Sequence, residues 1–352
     1  MEDDSDHQSS ESGALIANND DLLIEILLQL PVKSIIRFKS VSKHWRWLLS
    51  HRSFTIRYDH KLSKSPGVLA GDMYVPFDVK KGGTSPFRSL DSHYDPCGFK
   101  IVQSCNGLLL CSSYGCSTEG SGEYYVFNPT TRQFAIVPSV PGGPDVHKAP
   151  AGELFQIQIY SSETKKWKIS IESFSVHKPT FSNGVYWNGA FHWAPSYRNH
   201  LCFKFDVERL QLLPLPVEMM PYGTLIMYFG ESRGHLHLVL NNYRKCFMLH
   251  LDLNVYEMLS DHSGWVVKYH IVIDELVGAF PEILYPFGYA FEVVDVVRGE
   301  EEEDTFIVLI TSSKMITYNV HDSSFKQICN LSNYLYYGYS SFHRYIETLA
   351  SF

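Results

Sequence analysis

Hydrophobic and polar positions change their rhythm once along this chain, near residue 60. Before that point apolar residues recur at helical spacing. Leu23, Ile26, Leu27 and Leu30 stand at i, i+3, i+4 and i+7, the stripe of an amphipathic helix. Asn18-Asn19-Asp20-Asp21 precede the stripe with N-cap candidates and carboxylates that suit the positive end of a helix dipole. Pro31 stops it, because the residue before a proline avoids helical backbone. Two more short helices are predicted, one over 32–40 with Ile35, Ile36 and Phe38 apolar, and one over about 42–51. Ser42 is the candidate cap of the last, with Trp45, Leu48 and Leu49 on one side. Beyond residue 64 the pattern becomes short apolar runs broken by Gly, Pro, Asn and Ser, which predicts strands.

One pattern recurs five times in the strand region. An apolar run ends in Asn, Asp or Ser, and an apolar residue follows six positions later. The anchors are Asn128 with Phe134, Ser161 with Trp167, Asp206 with Leu212, Asp252 with Met258 and Asn319 with Phe325, at intervals of 33, 45, 46 and 67. A short polar side chain can bond the backbone just downstream and close a turn, so each copy predicts a hairpin. Asn188-Gly189 between Val185-Tyr186-Trp187 and Ala190-Phe191-His192 predicts a two-residue hairpin, and Asn106-Gly107 and Gly234 also open apolar runs. Small sheets repeated every 40–50 residues mark a β-propeller. Dividing about 290 residues by about 45 predicts roughly six blades.

Composition agrees and adds little: 352 residues, 45% hydrophobic and 14% aromatic, are enough for a sizeable core and exclude a mainly disordered chain. Charge is more informative when divided. The net charge is −8, yet 18–57 carries three acids and seven bases. Acidic runs at the N-terminus and over Glu300-Glu301-Glu302-Glu303-Asp304 account for the deficit, so no basic field attracts nucleic acid. The 300–304 run reads as a solvated insertion that swells the last interval. No apolar run approaches the ~20 residues of a membrane helix, and the polar, acidic start is unlike an export signal. Seven cysteines, without a zinc spacing, read as reduced thiols in cytoplasm or nucleus. About forty residues are too few to bury the apolar side chains of 18–57, so that segment needs a partner helix or the following domain.

The run Asp21-Leu22-Leu23-Ile24-Glu25-Ile26-Leu27, with Leu30-Pro31, Arg37-Phe38, Val41-Ser42-Lys43-His44-Trp45-Arg46 and a last anchor at Phe54, resembles an F-box. Asn18-Asn19 stand where such motifs usually carry Leu-Pro. Phe127-Asn128-Pro129-Thr130-Thr131-Arg132-Gln133-Phe134, Ser104-Cys105-Asn106-Gly107-Leu108 and Trp187-Asn188-Gly189-Ala190-Phe191-His192-Trp193 resemble the F-box-associated, kelch-like domain of plant F-box proteins. The resemblance implies a mainly β chain: a flexible acidic tail at 1–17, a three-helix F-box at 18–57, a linker at 58–63 and a β-propeller-like domain at 64–352. It implies docking on a Skp-type adaptor, and through it a cullin, by Leu22, Leu23, Ile26, Leu30, Pro31, Val32, Val41, Lys43 and Trp45, while the β domain holds a protein to be ubiquitinated. No catalytic residue, cofactor or metal is expected, nor nucleic acid or membrane as partner.

His235 and His237 share a strand face, with His192 as a conceivable third ligand, but no fourth can be placed, and core or surface histidines explain them better. Phosphate-loop, nucleophile-elbow and kinase motifs are missing. The rival readings are a ligand- or carbohydrate-binding propeller and a propeller hydrolase. Neither explains the basic helical segment.

Overall fold

In the computed structural model the change of rhythm near residue 60 is a change of architecture. The structure describes residues 19–61, 66–70, 73–77, 98–113, 123–141, 155–174, 184–195, 200–216, 224–242, 252–285, 288–289, 291–331 and 342–352. The acidic tail at 1–17 therefore lies outside the described residues.

Four helices open the described part of the chain: α1 (Asp20–Leu27), α2 (Val32–Phe38), α3 (Lys43–Ser50) and α4 (Arg52–Lys61). Asn19 caps α1, its Oδ1 accepting from the backbone N–H groups of Asp21 (3.1 Å) and Leu22 (3.2 Å). Ser42 caps α3 in the same way through the Trp45 N–H at 3.0 Å. The predicted three helices are thus joined by a fourth, which carries regular structure through residues 58–61, assigned above to a linker. Leu23, Leu27, Leu28, Val32, Ile35, Leu48, Leu49, Phe54 and Tyr58 form one buried cluster.

The rest is a propeller of five blades. The first is built from both ends of the domain: β1 (Gly67–Ala70) pairs with β2 (Met73–Pro76) and with the last strand, β23 (Phe342–Tyr345). The second is β3 (Phe99–Cys105), β4 (Leu108–Ser113), β5 (Tyr124–Asn128) and β6 (Gln133–Val137). The third is β9 (Gly184–Trp187), β10 (Ala190–Trp193), β11 (His200–Lys204) and β12 (Arg209–Leu213). The fourth is β13 (Thr224–Ser232), β14 (His235–Asn242), β15 (Asp252–Met258) and β16 (Trp265–Val272). The fifth is β19 (Phe291–Val297), β20 (Phe306–Thr311), β21 (Lys314–Asn319) and β22 (Phe325–Asn330). Every pairing is antiparallel, blades two to five are meanders, and β23, β3, β9, β13 and β19 touch in turn around the axis. Pairing β1 with β23 joins residues far apart in sequence into one sheet and closes the ring.

The count is five, not about six, for two physical reasons. The hairpin anchored at Ser161, β7 (Phe155–Ser161) with β8 (Lys166–Phe174), lies outside the ring. It packs β8 against β12, with an ion pair from Lys168 to Glu208 and a Trp167 indole bond to the Pro138 carbonyl at 3.2 Å. Length is also spent between β16 and β19, on helix α5 (Asp274–Ala279) and the two-residue strands β17 (Leu284–Tyr285) and β18 (Gly288–Tyr289). That stretch swells the last interval together with the acidic run, which lies in the connection between β19 and β20.

The anchor at Asp252 is corrected as well. Asp252 and Met258 are the two ends of one strand, β15. A separation of six is even, so it fits the period-2 alternation of an uninterrupted strand as well as it fits a hairpin. The fourth blade turns at Leu259–Gly264 instead, where Leu259 N–H donates to the Gly264 carbonyl at 2.9 Å. Asn128, Asp206 and Asn319 do mark turns between the two outer strands of their blades.

Candidate functional site

The nine residues predicted to face an adaptor divide by burial. Leu22, Ile26 and Val41 are apolar yet 51%, 47% and 60% exposed. Leu22 and Ile26 lie one turn apart on α1, so they share a face. Pro31 and Lys43 are exposed, whereas Leu30 and Trp45 are half-buried against the module's core. Leu23 and Val32 lie inside that core and can only support the surface. Trp47, also 60% exposed, is one that periodicity missed, because it sits off the apolar side of α3. Its ring is flanked by His44 (6.4 Å) and His51 (5.4 Å).

Polar contacts hold this surface in shape. His44 pairs with Asp20 at 2.7 Å, tying α3 to α1, and Arg57 of α4 pairs with Glu25. The Tyr58 hydroxyl donates to the Leu30 carbonyl at 2.8 Å, just before Pro31. Trp45 meets Phe38 edge to face at 5.4 Å.

The module's core is completed from the far end of the chain. Leu349 is fully buried among Leu27, Phe54 and their neighbours. Asp59 of α4 accepts from the Thr348 hydroxyl at 2.6 Å and from the Leu349 N–H at 3.4 Å. The same segment is gripped from the propeller by the Phe127-Asn128-Pro129-Thr130 motif. Buried Asn128 accepts from the N–H groups of Thr130 (2.9 Å) and Thr131 (3.2 Å), closing the turn. It donates to the carbonyls of Thr348 (3.2 Å) and Ala350 (2.8 Å). Thr130 and Tyr345 share a 2.5 Å hydroxyl contact. The need of 18–57 for outside apolar surface is thus met by residues 346–350, which bind the helices to one face of the propeller.

The helices occupy the face where inner strands end, since Gly67 at the start of β1 pairs with Tyr345 at the end of β23. The opposite face carries the starts of the inner strands and the β20–β21 turn. Between the faces, the inner strands line an axial cavity of about 420 Å³. Arg344 crosses it from β23, bonding the Glu231 carbonyl, the Ser232 hydroxyl (3.4 Å) and the Asp295 carboxylate (3.3 Å). Tyr228 donates to the same carboxylate at 2.8 Å. Burial pushes Asp295 up to about 6, against the pull of Arg344 and the Tyr228 hydroxyl.

His192 gathers with histidines other than His235 and His237. His192 meets His200 (5.4 Å) and His262 (5.3 Å) between blades three and four, walled by Trp187 and Trp265. Burial, with the neighbouring histidines, pushes His192 down to about 4 and His200 down to about 3. His235 and His237 instead face Glu257, which also pairs with Arg298 at 2.5 Å. Among the described residues no group of three His, Cys, Asp or Glu side chains is placed to hold a metal ion. The acidic run is tied down at the β19–β20 connection: Glu300 to Arg233 at 3.3 Å and Glu302 to Lys268 at 2.6 Å.

Comparison with known proteins follows this division. The F-box domain model matches residues 19–57. F-box protein At5g07610 of Arabidopsis thaliana is 29% identical over 97% of this chain and 94% of its own length. F-box protein At5g49610 of the same plant is 29% identical over 65% of this chain and 73% of its own. The Arabidopsis F-box/kelch-repeat protein At2g43270 is 32% identical over 40% of this chain and 62% of its own. The similarity thus runs through the helices and on into the blades: the chain carries an F-box domain and is similar over most of its length to plant F-box proteins.

Proposed function

We propose that this protein is the substrate-recognition subunit of a Skp–cullin–F-box ubiquitin ligase. The helical module docks on a Skp-type adaptor and through it a cullin. The propeller holds the protein to be ubiquitinated on the face opposite the helices. The role is not catalytic: it raises the local concentration of target lysines beside a charged ubiquitin-conjugating enzyme. The observation that carries this reading is the F-box match at 19–57, folded as a unit that leaves Leu22, Ile26 and Val41 exposed. The four described cysteines, Cys105, Cys111, Cys202 and Cys329, are free thiols, which suits cytoplasm or nucleus.

The test is co-purification. Replacing Leu22, Ile26 and Val41 together by Ala should abolish recovery of a Skp-type adaptor. Circular dichroism should stay that of the wild type, because exposed side chains contribute little to folding. Undiminished recovery would remove the assignment.

A further inference from the structure

The axial cavity has a chemical sign. Among the described residues its wall carries four ionisable side chains besides Cys105 and the tyrosines: Glu231, Glu292, His343 and Arg344. Arg344 is engaged with Asp295, so its charge is compensated from within the wall. His343 is held neutral by burial, which pushes it down to about 4. Among the described residues of the wall, two carboxylates are left to set the potential. Glu231 accepts from the Gly234 N–H at 2.6 Å, beside the helical face. Glu292 is exposed and has no hydrogen bond or ion pair to any described residue. That sets it apart from Glu208, Glu257, Glu282, Glu300 and Glu302, each of which meets a Lys or Arg.

Position adds a direction of entry. Glu292 is the second residue of β19 and pairs with Ile310, next to the β20–β21 turn. It therefore stands at the mouth facing away from the helices. Phe342 and Gly184, the first residues of their strands, stand at the same end, and Met227 lies in the wall with them. A carboxylate beside apolar and aromatic surface suits a long cationic side chain, whose stem packs while its head pairs.

We infer that this mouth receives a Lys or Arg side chain of the bound protein, with Glu292 as its counter-ion. The inference rests on the reading of the propeller as a substrate receptor and narrows the substrate to one presenting a basic residue on an accessible segment. The test pans a display library of random heptapeptides against the immobilised full-length chain, then titrates the recovered peptides in synthetic form. Recovered peptides should share a Lys or Arg. Glu292→Gln should weaken them about tenfold through loss of a charge-assisted bond, and that loss should shrink at high salt. Glu275→Gln, an exposed acid on α5 outside the cavity wall, should change nothing. Failure to recover peptides, peptides without a shared basic residue, indifference to Glu292→Gln, or equal weakening by Glu275→Gln would each overturn it. Adaptor co-purification is read separately, so the cavity assignment can fail while the ligase assignment stands.

Discussion

The helical module and the propeller reach a closed core by opposite means. The propeller closes on itself: β1 and β23 bring the ends of the domain into one sheet, and every inner strand touches the next. The module does not close. Its helices leave a gap that Leu349 fills, and α4 is bonded to Thr348 and Leu349 through Asp59. The helical module thus draws part of its core from the end of the propeller chain. Asn128 stands at that junction, closing its own turn and holding residues 348–350 from the propeller side.

Acid should separate the two regions most strongly. In the fold His192 and His200 are held well below the ordinary histidine value of about 6.5, at about 4 and about 3. The unfolded chain therefore binds more protons than the folded one between these values. The stability from keeping both rings neutral is fully present above about pH 6.5 and is lost as pH falls toward 3–4, by several kcal/mol at pH 4. The histidines of the module, His44 and His51, are exposed. Near-ultraviolet dichroism of the propeller tryptophans should collapse on acidification, and His200→Leu should make that loss shallower. A pH-independent propeller signal would show that the fold does not depend on keeping these rings neutral.

Leu349→Ala works in the other direction. The side chain is buried in the module, so its loss should cost about 2–5 kcal/mol there. Amide exchange in α1, α3 and α4 should accelerate and adaptor recovery should fall, with the β signal and the acid transition unchanged. If the blades loosen equally, the two regions are one cooperative unit and the contrast between them is mistaken.

How far this was legible depends on the reach of each signal. Caps, turns and stripes are local, so Asn19, Ser42, Asn106-Gly107, Asn188-Gly189 and the Asn128 turn were readable from neighbouring residues. The Asp252 anchor failed because an interval of six satisfies a strand and a hairpin alike. Closure by β1 and β23, the insertion of Leu349 and the gathering of His192, His200 and His262 depend on pairings between distant segments, which no local pattern encodes. Among the residues expected to face an adaptor, residue type selected Leu22, Ile26 and Val41, which are exposed. It could not separate them from buried Leu23 and Val32, nor find Trp47, because burial follows from how the helices pack. Glu292 resembles the other strand acids until their partners are known.

The smallest effect tests the junction itself, by comparing two glycines in the same kind of turn. Gly107 follows Asn106 with φ +78°, and Gly189 follows Asn188 with φ +74°, both left-handed. A Cβ at Gly189 meets nothing within 4 Å, so Gly189→Ala should cost only the backbone strain, about 1 kcal/mol. A Cβ at Gly107 would lie 2.1 Å from the Ile346 carbonyl oxygen and 2.7 Å from the Thr348 methyl. Relief requires moving the segment that carries Leu349 into the module. Gly107→Ala should therefore cost more than Gly189→Ala in thermal unfolding and, unlike Gly189→Ala, should also raise amide exchange in α4. Equal costs, with α4 protected in both, would mean that residues 346–350 yield freely and do not couple the helices to the blades.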